Sequence, residues 1–142
     1  VFVKYFQNKP SKLPPQNVKQ LQLQAYERLT LFLERIDPPK LLVRVKPNQT
    51  QTEAYEQLLV ATIEQEYEHN LSQQIYVTAK TWSHVQRAKN AIIHLLRQAA
   101  MHSKSNNSQA FREHILRQFI EQTTPSQSAL QILREEAQKQ FL

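Results

Sequence analysis

The chain contains no glycine and no cysteine. An average protein of this length carries about ten glycines, at a usage of roughly 7%. Glycine supplies the positive-φ residues of tight hairpins and phosphate-cradling loops. Its absence therefore argues against Rossmann and Walker-type nucleotide sites, whose backbone N–H groups must approach phosphate closely. It also argues against a meander of tight β-hairpins. Without cysteine there are no disulfides, no thiolate chemistry and no cysteine-based zinc site. Long apolar runs are missing as well: no stretch approaches the about 18 apolar residues of a membrane-spanning helix.

What is present is 142 residues with 40% hydrophobic and 21% charged side chains. This is enough for a modest core and too balanced for wholesale disorder. A net charge of +6 and a pI near 9.7 permit contact with nucleic acid or an anionic surface. A first residue of Val rather than Met reads as a fragment or processed product. Val1, Phe2, Val3, Tyr5 and Phe6 form an apolar start followed by Lys9 and Lys12. That is the pattern of a transmembrane helix emerging on its positive, cytoplasmic side, and equally of an ordinary apolar terminus. Pro10, Pro14 and Pro15 break this opening, so residues 1–15 are read as a juxtamembrane linker.

Helical periodicity begins next. Val18, Leu21, Ala25, Leu29, Phe32 and Ile36 recur every three or four residues and predict a helix over 16–36. Asp37-Pro38-Pro39 stops it, and Leu41–Val45 is an apolar run that periodicity assigns to neither a helical turn nor a strand. Thr50 and Glu53 have capping-box spacing before a second helix, 51–72, with Tyr55, Leu58, Leu59, Ile63 and Tyr67 on its stripe. Thr78 is an N-cap for a third helix, 79–101, burying Trp82, Val85, Ala88, Ile92, Leu95 and Leu96. The Ser- and Asn-rich stretch 102–108 reads as a linker. A fourth helix, 109–122, follows, and Thr124-Pro125 opens a fifth, 125–141. The fold class is all-α: an antiparallel bundle of three core helices, 16–101, plus a C-terminal helical hairpin, 102–142.

The sharpest polar feature is Glu66, His69 and Asn70, which project onto the apolar face of the second helix. A carboxylate there needs a partner, since burying a lone charge is costly. Arg28 and Arg35 lie on the edge of the first helix's apolar stripe, and antiparallel packing of the first two helices brings Arg28 near the level of Glu66. An Arg28–Glu66 ion pair, with His69 or Asn70 hydrogen-bonded beside it, is therefore the expectation. Such a network either fixes helix register or forms an acid–base or ligand site. Glu66 and His69 also make one Glu-x-x-His, but di-iron bundles need two such motifs and two further glutamates. No metal or other cofactor is expected, and no Gly-x-Ser-x-Gly elbow frames a nucleophile. Lys80, His84, Arg87, His94 and Gln98 share the outer face of the third helix, and Arg97, Lys104, Arg112 and Arg117 lie in or beyond it. Lys80, Arg87, Arg97 and Lys104 are the candidate anion-binding residues, although aromatics for stacking on single strands are not interleaved with them.

Two stretches, Leu23–Ile36 (LQAYERLTLFLERI) and Glu66–Val77 (EYEHNLSQQIYV), resemble an uncharacterised family of small Bacteroidetes proteins. The likeness covers residues 16–101. It implies an N-terminal membrane helix followed by a cytoplasmic helical domain, and no assigned activity. The function expected is a membrane-tethered interaction or scaffold module on the cytoplasmic face of the inner membrane, with a protein partner or a second copy docking on Phe111, Phe119 and Phe141. The alternative is nucleic-acid or anionic-lipid binding by the basic face of the third helix; an enzyme of unrecognised type ranks third.

Overall fold

A computed structural model describes residues 15–142, so the apolar start at Val1–Phe6 lies outside the described residues. The described residues form six α-helices: α1 (Pro15–Ile36), α2 (Pro38–Arg44), α3 (Thr52–Glu68), α4 (Ala79–Met101), α5 (Ser108–Gln118) and α6 (Pro125–Phe141). A 3₁₀ segment, Leu71–Tyr76, joins α3 to α4, and the described residues contain no strand. The run Leu41–Val45 is thus largely helical, with Pro38 opening α2 and Leu41 and Leu42 buried.

A chain without glycine must end its helices in another way than by a left-handed residue, and no described residue has positive φ. The ends tighten instead. Beyond α4, Ser103 N–H reaches Ala100 O at 3.3 Å, and beyond α5, Ile120 N–H reaches Arg117 O at 3.4 Å. Beyond α3, Asn70 N–H reaches Tyr67 O at 3.0 Å. These three-residue turns satisfy terminal carbonyls that would otherwise be orphaned.

Starts are set by side chains. Thr78 accepts from Thr81 N–H at 3.1 Å and opens α4. Thr124 accepts from Gln127 N–H at 3.2 Å, while Gln127 Oε1 accepts from Thr124 N–H at 3.0 Å, a reciprocal capping box for α6. The expected Thr50–Glu53 box is not used. Gln51 is the N-cap of α3 and makes no side-chain cap. The donor at Thr52 N–H is taken by Asn106 Oδ1, 3.0 Å away and 54 residues further along the chain. Thr52 Oγ1 donates to Ser105 O at 3.1 Å, and Ser108 N–H to Thr50 O at 2.8 Å. The stretch 102–108, expected to be a linker, is therefore the cap of α3.

The long helices alternate in direction. Glu64 meets Lys89 and Glu56 meets Arg97, which runs α3 antiparallel to α4. Gln22 meets Gln140 and Asp37 meets Ser126, which runs α1 antiparallel to α6. α6 packs against both α1 and α4, and α2 and α5 close one end. Leu29, Ile63 and Val85 are fully buried, and one apolar core includes Phe111, Ile115, Leu130 and Leu133 of the C-terminal hairpin. Tyr26 and Leu33 join the stripe expected for α1 because α6 covers a second side of that helix. Trp82 stacks on Tyr67 at 5.6 Å between ring centroids, and Tyr67 also tilts against Phe32 at 6.0 Å.

Candidate functional site: an arginine cleft over the end of α3

The polar residues singled out on α3 do come together, in a cleft of about 560 Å³ where α1 and α2 meet the C-terminal half of α3. Arg28, Leu31 and Arg35 line it from α1, Arg44 from α2, and Glu66, His69 and Asn70 from the end of α3. Antiparallel packing decides which groups pair. Arg35 donates from Nε at 3.0 Å and Nη2 at 2.8 Å to the same oxygen, Glu66 Oε1. Arg44 Nη2 lies 3.2 Å from that oxygen and donates to the Arg35 carbonyl at 3.0 Å. Glu66 Oε2 is buried and has no hydrogen-bond partner.

The expected Arg28–Glu66 ion pair is therefore replaced by Arg35–Glu66 and Arg44–Glu66. The crossing of α1 and α3 sets Glu66 level with Arg35, two turns nearer the end of α1. Arg28 instead lies over the last turn of α3. Its Nη2 donates to His69 O at 3.4 Å and its Nε to Asn70 Oδ1 at 3.5 Å. A guanidinium at a helix C-terminus meets free carbonyls and the negative end of the dipole, so the placement is favourable. Asn70 Nδ2 donates to Glu66 O at 2.8 Å and completes this cap.

The network is also less buried than expected. Glu66 is 15% exposed, but Arg35 and Arg44 are 44% and 34% exposed, and His69 is on the surface. His69 contributes its carbonyl, and no hydrogen bond joins its ring to Glu66, so the cleft holds no carboxylate–imidazole pair. The hydroxyl of Thr62, the one alcohol lining the cleft, is spent on Leu58 O at 2.8 Å. Among the described residues no group of three or more His, Asp or Glu is placed to hold a metal ion.

The other candidate residues fall elsewhere. Phe111 and Phe119 are 2% and 7% exposed and belong to the core, so they are not free anchors for a partner. Phe111 packs edge-on to Tyr55 at 6.2 Å, and half-buried Phe141 packs edge-on to Tyr26 at 5.7 Å. Lys80, Arg87, Arg97 and Lys104 are exposed but face different neighbours. Lys80 lines a cleft with Glu135 and Glu136 of α6, whereas Arg97 lies 3.7 Å from Glu56 of α3. Leu31, Arg44 and Gln65 of the arginine cleft are not singled out by the sequence. Leu31 is 60% exposed, and its signal was an apolar residue off the stripe of α1. Arg44 had no local signal, because the turn at Asp37 is what carries α2 back over α1.

A profile described as a family of unknown function (DUF7935) matches residues 5–140. The chain belongs to this family. No curated protein and no solved structure matches it.

Proposed function

We propose that this DUF7935 chain is a non-enzymatic helical interaction module that docks an acidic, extended segment of a partner protein in the arginine cleft. One observation carries this: three guanidiniums, of Arg28, Arg35 and Arg44, surround exposed Leu31, while a single carboxylate, Glu66, lines the same cleft. Arg28 has only neutral acceptors, so its charge is available to a second anion. Arg28 and Arg35 stand roughly 10 Å apart along α1, at 1.5 Å per residue. Two acidic residues four apart in an extended segment point to the same face about 13 Å apart, within reach of the two flexible guanidinium arms, and the residue midway between them, on that same face, can be apolar and meet Leu31. Guanidinium forks suit carboxylates in both charge and geometry.

The module is read as tethered to the cytoplasmic face of the inner membrane, as in the small membrane-anchored Bacteroidetes proteins it resembles. Support comes from the apolar Val1–Phe6 followed by Lys9 and Lys12. No helix among the described residues is long and apolar enough to cross a membrane.

Cross-linking in native cells tests the docking site. Partners captured by the full-length protein are expected to be lost in Arg28→Glu and Leu31→Asp and retained in Arg134→Glu on α6. Capture that ignores all three substitutions, or of nucleic acid alone, overturns the proposal.

A further inference from the structure

A second opening lies on another side of the molecule, between the C-terminal half of α4 and α5. It is a groove of about 840 Å³, larger than the arginine cleft. Its floor is apolar: half-buried Leu95 and Ala99 from α4, buried Phe111 from α5 and Pro125 at the start of α6. Its sides are two helical rows. His94 and Gln98 of α4 and His102 at its C-cap follow one another every four residues, and Ala110, His114 and Gln118 do the same on α5. Three of the five histidines of the chain line this one groove, Lys104 joins them from the loop between the helices, and no Asp or Glu does.

We infer that this groove receives an acidic amphipathic helix of a partner protein. Charge complementarity selects the occupant, because every ionisable group along the groove is basic. Shape selects a helix, because two rows with four-residue spacing flank an apolar strip. Leucine-like side chains at every third and fourth position reach Leu95, Ala99 and Phe111. Carboxylates on the shoulders meet His94, His114 and Lys104. The small side chains of Ala91 and Ala110 let the incoming backbone come close. The site shares no residue with the arginine cleft, so the two are tested separately.

NMR titration of the full chain reads the interaction directly. The probe is a short amphipathic peptide with leucine on one face and glutamate on the other; the control has lysine in place of glutamate. The acidic peptide is expected to shift resonances of Ala91, His94, Ala99, Ala110 and His114, and the lysine peptide to bind at least about tenfold more weakly. Ala110→Trp fills the groove at an exposed position and should abolish binding. The double variant His94→Glu with His114→Glu should weaken it by a similar factor, its fold verified by circular dichroism. No binding, shifts centred on Arg28 and Arg35, equal affinity for the two peptides, or undiminished binding by either variant overturns the inference.

Discussion

Asp37 closes α1 as the residue before two prolines, yet its side chain does its work far along the chain. It is 2% exposed and accepts hydrogen bonds from Thr124 Oγ1 at 2.5 Å and Ser126 Oγ at 2.6 Å. A carboxylate there faces the positive N-terminal end of α6, so hydrogen bonding and the helix dipole act in the same direction. Asp37→Ala leaves two buried hydroxyls without their acceptor and should cost about 2–3 kcal/mol in urea unfolding. Asp37→Asn keeps one acceptor oxygen and should cost less. Tyr55 is the other buried polar group with a measurable signature. Its hydroxyl donates to Val45 O at 2.7 Å, and burial pushes its pKa up to about 12, with Arg112 drawing it partway back. The folded state therefore favours the protonated phenol. The resulting stability is complete below the ordinary pKa of about 10 and is lost as pH rises from there toward 12. Phenolate absorbance should show Tyr55 ionising together with loss of helical ellipticity, and Tyr55→Phe should flatten that alkaline slope of stability.

Helices are only as well placed as their ends. α4 and α6 are capped by threonines that accept from the N–H three residues downstream, so local spacing suffices to read their starts in the sequence. α3 is capped by Asn106, which no window around Thr52 contains. Asn106→Ala should therefore destabilise by about 1 kcal/mol, the ordinary worth of a cap. Its fingerprint is faster hydrogen exchange at Thr52 and its neighbours rather than within α5. If exchange rises only near residue 106, the cap is not the link described. The same limit governs the polar site. Helical phase shows that Glu66 and Asn70 share the face that meets α1. The choice between Arg28 and Arg35 depends on how far α1 and α3 slide along each other, which neither helix encodes alone. The groove between α4 and α5 is a matter of two helices as well. His94 and Gln98 are legible as one row, but their convergence with Ala110 and His114 follows from the loop 102–107, whose bonds to α3 fix the direction in which α5 departs.

At the scale of the molecule, α6 is the element that closes the bundle. It lies against both α1 and α4 and brings Ala129, Leu130 and Leu133 into the core, all under 8% exposed. Without it, Tyr26, Leu33 and Thr81 would face water, and Asp37 would lose both hydroxyl donors. Periodicity identifies the helices but gives residues 16–101 enough apolar stripes to resemble a complete bundle, because a stripe does not state how many partners it has. The arrangement seen here makes the whole described chain one cooperative unit. Calorimetry should give a single transition whose van't Hoff and calorimetric enthalpies agree. A chain cut after residue 101 should lose that transition and bind a hydrophobic dye, since the surface α6 covered on α1 and α4 is apolar. Two separable transitions, or a truncated chain that melts as sharply as the whole, would mean that the C-terminal hairpin merely rests on a bundle already complete.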